Sequence, residues 1–161
     1  MCGGLLILIS QGCAGYQIGN RQLFPPNIRS VHVPIIESES YRRFLGQQLT
    51  EAVVKQIEQD TPLTIADPAL ADSILRCKLV RDRKLPKTLD RFGEPRVLET
   101  SWVVEVEWVD RSGVPLLPRQ DLRISDSVEF IPEGGQSLSS ANRKLIGSIA
   151  NQIVGQMELS W

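Results

Sequence analysis

Hydrophobic residues recur at helical spacing in two segments of the chain. Behind a possible N-cap at Ser38 or Ser40, apolar residues follow one another at three- and four-residue steps, as on the buried side of a helix. A second segment of this kind follows a possible N-cap at Ser137 or Ser139. The sequence therefore predicts two amphipathic helices. Their inner positions are Phe44, Leu45, Leu49, Ala52, Val53 and Ile57 in the first, and Leu145, Ile149, Ile153 and Met157 in the second.

Alternating apolar and polar residues predict a long β-hairpin between the two helices. The segment "SILRCKLVRDRK" (residues 73–84) alternates, and "RVLETSWVVEVEWVD" (residues 96–110) does so most strongly. The stretch "LPKTLDRFGEP" between them supplies the turn. One register suits both faces, because it sets apolar residues opposite apolar ones and basic residues opposite acidic ones. It pairs Leu75 with Trp108, Cys77 with Val106, Leu79 with Val104, Arg76 with Glu107 and Lys78 with Glu105.

Three further segments have strand character. They are "RSVHVPII" (residues 29–36), "PLTIADPALAD" (residues 62–72) and "QDLRISDSVEF" (residues 120–130). In the first, Val31, Val33 and Ile35 share one face, and Pro34 indicates an edge or a bulge. The order of elements predicts an α+β fold, with two helices packed on one face of a mainly antiparallel sheet of about four strands.

The beginning of the chain has the features of an export signal. In "LLILISQGCAGYQ", the apolar run from Leu5 to Ile9 is too short to cross a bilayer but suits a signal peptide, and small residues surround Cys13. We expect a lipoprotein-type signal at residues 1–12, lipid attachment at Cys13, a tether over residues 13–28, and a folded domain at residues 29–161. A buried N-terminal segment is the alternative. No basic residue precedes Leu5, so we expect the signal to begin upstream of Met1.

Composition limits the remaining function classes. The chain has 161 residues, a net charge of −1 and a hydrophobic content of 42%, which fits one globular domain without a general attraction to nucleic acid. Its three cysteines, Cys2, Cys13 and Cys77, have neither disulfide nor metal-ligand spacing. We therefore expect no metal and no cofactor, apart from the covalent lipid on Cys13.

Catalytic chemistry has little support in the sequence. His32, the single histidine, lies within a predicted strand, where a structural role is more common than acid–base catalysis. Glu105 and Glu107 lie two residues apart and face basic residues across the predicted hairpin, so charge pairing accounts for them. The sequence contains no nucleophile elbow and no phosphate-binding loop. We expect that the protein is not an enzyme.

The predicted hairpin is strongly basic. Residues 76–96 contain eight basic and three acidic side chains. Two interpretations stay open: a solvated hairpin with part of its charge paired, or an anion-binding hairpin. In a lipid-anchored envelope protein, the matching anion is a phosphorylated glycolipid, because arginine and lysine suit phosphates. The candidate binding residues are Arg81, Arg83, Lys84, Lys87, Arg91 and Arg96.

Several stretches resemble one known family. The opening "GCAGYQIGN", the strand "VHVPII", the helix "LTEAVVKQI" and the pair Ala71-Asp72 are together similar to the LptE family of lipopolysaccharide-assembly lipoproteins, and most similar to its planctomycete members. The likeness is strongest up to Val80. It implies a two-layer α+β domain that plugs an LptD-type β-barrel at the periplasmic side of the outer membrane, binds lipopolysaccharide and carries its lipid on Cys13. The hairpin bases have no counterpart in a family motif and rest on charge alone.

Two other functions compete with this one. The first is a lipid-anchored periplasmic adaptor that activates or scaffolds a cell-envelope enzyme. The second is a small-ligand hydrolase, which would need His32 and a constellation that the sequence does not offer.

Overall fold

A computed structural model describes residues 23–158 of the chain, and its elements follow the predicted order. The bounds in chain order are β1 (Ser30–His32), β2 (Glu37–Ser38), α1 (Leu45–Asp60), β3 (Thr64–Ile65), β4 (Ser73–Leu89), β5 (Pro95–Asp110), β6 (Leu122–Phe130), a 3₁₀ turn (Pro132–Gly134) and α2 (Leu138–Met157). The expected signal segment and Cys13 lie outside the described residues. Phe24 and Ile28, at the end of the predicted tether, are buried in the core.

The sheet is mixed, which corrects the expectation of a mainly antiparallel sheet of about four strands. Its order is β3-β1-β4-β5-β6, and β2 also pairs with β4, so it has six strands. β1 pairs in parallel with β3 and β4, and β2 pairs in parallel with β4. These three strands have only two or three residues each, which is too short for an alternating pattern to reveal how they pair. The α+β class itself is confirmed, with its two helices.

One face of the sheet and both helices enclose a single hydrophobic core. Trp102 and Trp108 of β5 are buried there, and the Trp108 indole donates to the Ser73 hydroxyl at 3.0 Å. Helix α2 is capped at its N-terminus by Ser137, one of the two predicted caps, whose hydroxyl accepts from the Ser140 backbone N–H in a capping box. We call the sheet face away from the helices the open face.

Helix α1 begins later than predicted. Its first residue is Leu45, and the preceding Phe44 has a positive φ of 65°. Gly46 explains the position, because a side chain there would collide with the Ile36 carbonyl oxygen, so only glycine allows the helix to start so close to the first strands. Phe44 is 68% exposed and does not belong to the buried stripe, which corrects the expected set. In the first strand segment, Ile36 is buried instead of Ile35.

The predicted hairpin register is confirmed up to a bulge. All five expected pairs between β4 and β5 are present, from Leu75–Trp108 to Leu79–Val104. The register then shifts by one residue, so that Arg81 pairs with Val103 and Asp82 pairs with Trp102. Val80 is the extra residue of this β-bulge. Asp82 consequently points toward the helices, while Arg81 and Arg83 lie on the open face, opposite to what unbroken alternation would give.

Candidate functional site

The outer part of the β4–β5 hairpin extends beyond the helices. We call residues 81–98 the arm. Among its β4 residues, all but the half-buried Asp82 are exposed, on both faces of the ribbon. The Asp90 carboxylate forms the turn at its tip, where it accepts from the backbone N–H groups of Phe92 at 2.8 Å and Glu94 at 2.9 Å. Leu85, Leu89 and Phe92 present exposed apolar side chains along the arm.

The six candidate cations all lie on the arm, but they do not form one cluster. Arg81 and Arg83 lie on the open face, opposite Val103 and Ser101. Lys84 is opposite Thr100 on the helix-facing side. Arg91 lies at the tip, with its guanidinium 4.7 Å from the centre of the Phe92 ring. Strand alternation already separates Arg81 and Arg83 from Lys84, but the sequence could not reveal which of them face away from the helices, because that depends on the bulge.

Two of the six cations already have carboxylate partners. The Lys87 amine lies 3.0 Å from a Glu99 oxygen and 3.5 Å from a Glu129 oxygen. The hydrogen bond to Glu99 is the main reason that the pKa of Lys87 is raised. Arg96 is paired with Asp90 at 3.4 Å and also with Glu133. The other four, Arg81, Arg83, Lys84 and Arg91, form no ion pair within residues 23–158, so they are the candidate cations available to a ligand.

Arg81 and Arg83 border a shallow groove on the open face. Its volume is about 430 Å³, and Leu85 and Val103 supply its apolar lining. The hydroxyls of Ser101, Ser125 and Ser127 also line it. Two carboxylates, Glu99 and Asp126, also line the groove, but Glu99 is paired with Lys87 and Asp126 accepts from the Ser127 backbone N–H at 2.7 Å. The unpaired charges of the groove are therefore the two guanidinium groups, which together with small hydroxyls and apolar carbon suit a phosphate bearing a lipid or sugar.

A buried carboxylate fixes the base of the arm. The side chain of Asp82 is 3% exposed and forms an ion pair of 3.1 Å with Arg42. It also accepts hydrogen bonds from the Trp102 indole at 3.0 Å and from the Ser40 hydroxyl. Arg42 in turn donates to the Asn142 side chain of α2 at 3.4 Å. The negative charge of Asp82 is therefore neutralised by Arg42, which lies outside the arm. Asp82 does not offset the positive charges of the arm, so the arm is more positive than its composition suggests.

The charged side chains of the hairpin that precede the arm are paired with one another or with neighbouring segments. Arg76 pairs with Glu107 at 3.2 Å, as predicted. Lys78 lies opposite Glu105 as expected, but its ion pair is with Glu39 at 2.7 Å. Glu105 instead pairs with Arg123 at 2.6 Å. This part of the open face is consequently a network of solvated ion pairs.

The described residues offer no catalytic constellation. The His32 ring nitrogen Nδ1 lies 3.1 Å from the Ala66 carbonyl oxygen, a contact that ties two strands together. The Cys77 thiol is buried, and burial raises its pKa to about 12, which makes it a poor nucleophile. No group of three or more potential metal ligands occurs over residues 23–158. Within the same range, neither helix is long and apolar enough to cross a membrane.

Solved structures share this fold at low sequence identity. A PelC dodecamer from Paraburkholderia phytofirmans has a TM-score of 0.54 and 11% identity, and the match covers 86% of this chain and 93% of that one. Rare lipoprotein B from Shewanella oneidensis has a TM-score of 0.53 and 15% identity, covering 80% and 93%. An uncharacterised lipoprotein B from Nitrosomonas europaea has a TM-score of 0.51 and 15% identity, covering 86% and 90%. At these identities the likeness concerns the fold alone.

Sequence comparison identifies one family. No curated protein matches the chain. The model of the LptE family, described as lipopolysaccharide-assembly, matches residues 28–159. The match includes both helices and the whole arm.

Proposed function

Because the chain belongs to the LptE lipopolysaccharide-assembly family, we propose that it assists lipopolysaccharide assembly as the partner and plug of an LptD-type outer-membrane β-barrel. It acts by binding and carries out no reaction of its own. The family match is the observation that carries this proposal. The arm adds support from its own chemistry, since it presents cations and apolar side chains that the fold of this chain does not use.

The direct test is capture of the tagged full-length protein from gently solubilised envelopes, with its partners identified by mass. We expect a large, heat-modifiable barrel protein in near-equal amount. Recovery of a cell-wall enzyme in place of the barrel would refute the plug and favour the lipid-anchored adaptor. Recovery of neither protein would also count against the plug, because a plug is a stoichiometric component.

We place the glycolipid contact on the open face of the arm, at Arg81 and Arg83. Their guanidinium groups can bind phosphate in bidentate geometry, and Leu85 beside them can contact acyl or sugar carbon. Lys84 and Arg91 contribute longer-range attraction from other sides of the arm. Lys87 and Arg96 are secondary, because a ligand would first have to displace Glu99 or Glu133.

A matched pair of double variants tests this placement. Arg81→Gln/Arg83→Gln and Arg76→Gln/Arg123→Gln each remove two positive charges from the open face, but only the second pair has carboxylate partners. We expect the first variant to bind purified lipopolysaccharide roughly tenfold or more weakly, from the loss of charge-assisted hydrogen bonds. The second should bind like the wild type. An equal loss of affinity in both double variants would show that only the overall charge of the open face matters, and it would refute the site at Arg81 and Arg83.

Lipid attachment at Cys13 completes the proposal. It would hold the protein at the periplasmic side of the outer membrane, since a diacylated cysteine is a stable anchor. Replacement of Cys13 by Ala should release the protein from the membrane fraction in cells that lack the barrel partner. Retention in the membrane fraction of a variant that combines Cys13→Ala with Tyr41→Ala and Phe44→Gly would contradict the anchor.

A further inference from the structure

A short loop beside the arm exposes two aromatic rings. We call Glu39–Phe44, the connection between β2 and α1, the aromatic loop. Within it, Tyr41 is fully exposed and Phe44 is 68% exposed. Arg43 between them is also exposed, and no ion pair of Arg43 is recorded in the described part of the chain. The loop therefore presents two rings and one available cation within four consecutive residues, 41–44.

This loop is held rigidly at three points. At its start, Glu39 donates its backbone N–H to the Leu79 carbonyl oxygen at 3.0 Å. In the middle, Ser40 and Arg42 bind the buried Asp82. At its end, Gly46 packs against Ile36, and the Thr50 hydroxyl accepts from the Ile36 backbone N–H at 2.9 Å. Ser40 and Arg42 thus point toward the domain, whereas Tyr41 and Arg43, which alternate with them, point toward solvent.

Phe44 has a backbone conformation that disfavours its own side chain. Its φ of 65° is the only positive value among the described residues other than glycine. A bulky residue is unfavourable there, whereas glycine or asparagine accepts the conformation readily. The ring gains little burial in return. Neither local conformation nor core packing therefore accounts for a phenylalanine at this position, so a contact outside the chain is the remaining reason.

We propose that the aromatic loop is a contact site for a membrane surface of anionic phospholipid. Aromatic rings are favoured at the level of lipid headgroups, and arginine is attracted to their phosphates. The loop alone is too small to hold a separate protein partner, since the two rings bury together at most about 500 Å². A stable protein interface needs roughly 800 Å² per partner. A membrane requires no such area, because each ring and each cation adds its own contribution.

The position of the loop gives this contact a distinct effect. The chain enters the domain near Asp72, which accepts from the Arg29 backbone N–H at the start of β4. The aromatic loop lies ten residues further along β4, at Asp82, about 33 Å away. Before the domain joins a barrel partner, a single tether would leave it free to rotate. A second contact at that distance fixes which side of the domain faces the membrane.

The test is co-sedimentation of the 161-residue chain with vesicles of phosphatidylglycerol and phosphatidylcholine in equal parts. Every variant keeps residues 1–38, so differences between variants report the loop alone. We expect Phe44→Gly and Tyr41→Ala each to weaken vesicle binding roughly fivefold to tenfold, the ratio for removing one interfacial ring. Arg43→Gln should weaken binding to these vesicles but not to pure phosphatidylcholine. Leu70→Ala and Arg119→Gln, exposed residues elsewhere on the surface, are the matched controls.

The unfolding midpoint separates a binding role from a structural one. Phe44→Gly relieves the strained backbone, so its midpoint in urea should be equal to or higher than that of the wild type. Vesicle binding at wild-type strength in both ring variants would overturn the proposal. Loss of barrel capture with vesicle binding intact would also overturn it and assign the rings to a protein partner. Barrel capture that survives all three loop variants would leave the plug unaffected.

Discussion

Truncation of Asp82 should cost the domain a large part of its stability. In Asp82→Ala, the Trp102 indole N–H loses its acceptor inside a fully buried residue, and Arg42 loses its ion pair. An unsatisfied buried donor costs about 1–3 kcal/mol. Removal of one partner of a fully buried ion pair costs about 3–5 kcal/mol, but Arg42 is 29% exposed and can turn toward water. We expect the free energy of unfolding to fall by about 3 kcal/mol.

Two comparison variants make this estimate testable. Asp82→Asn keeps an acceptor for Trp102 and loses only the charge, so it should lose about half as much. Glu107→Ala removes an exposed partner of an ion pair and should change stability by less than about 0.5 kcal/mol. Urea unfolding followed by far-UV circular dichroism is the appropriate assay, because Trp102 fluorescence responds directly to the substitution. A loss below about 1 kcal/mol in Asp82→Ala, or equal losses in the Ala and Asn variants, would refute the reasoning.

Four other substitutions test features of the fold. The backbone N–H of Arg29, followed by the Ser30 hydroxyl, lowers the pKa of Asp72 from its ordinary 3.8. The stabilisation that this carboxylate provides is fully present above pH 3.8 and is lost as the pH falls through the folded-state pKa. Acid should therefore destabilise the wild type more steeply than Asp72→Asn. Parallel losses of stability with pH in the two proteins would contradict this. Gly46→Ala should lose about 2–3 kcal/mol in urea unfolding by collision with Ile36. Gly147→Ala, in open space on α2, should stabilise by up to about 1 kcal/mol. Ser137→Ala should lower thermal stability by about 1 kcal/mol through loss of the helix cap, and no change would contradict the capping box.

The long elements of the fold could be predicted from the sequence because their patterns are strong. Helix α2 has both an N-cap and a continuous apolar stripe, and the five hairpin pairs satisfy packing and charge together. The parallel strands could not be predicted in this way. Their two or three residues are held by backbone hydrogen bonds to distant segments, which leave no local pattern. The start of α1 depends in turn on the close approach of Gly46 to Ile36, a tertiary contact.

The candidate site was predictable in composition but not in arrangement. The excess of basic residues in the hairpin is visible in the sequence, and all six candidates lie on the arm. Which of them are available depends on Glu99, Asp90 and Glu133, and the last of these belongs to a different part of the chain. The aromatic loop was missed because "SYRRF" continues the helical pattern behind it. Only the positive φ of Phe44 separates it from the helix.

The extra residue at Val80 also determines where the arm points. Deletion of Val80 would leave Leu79 and Asp82 facing the helices and Arg81 facing away, so every side chain would keep its face. What the bulge adds is a local bend and a stronger twist. The arm beyond it behaves as a lever of about 30 Å, so a change of roughly 20° in its direction would displace the tip by about 10 Å. A single uncharged residue beside Arg81 thus sets the direction of the tip, and with it the position of Arg91.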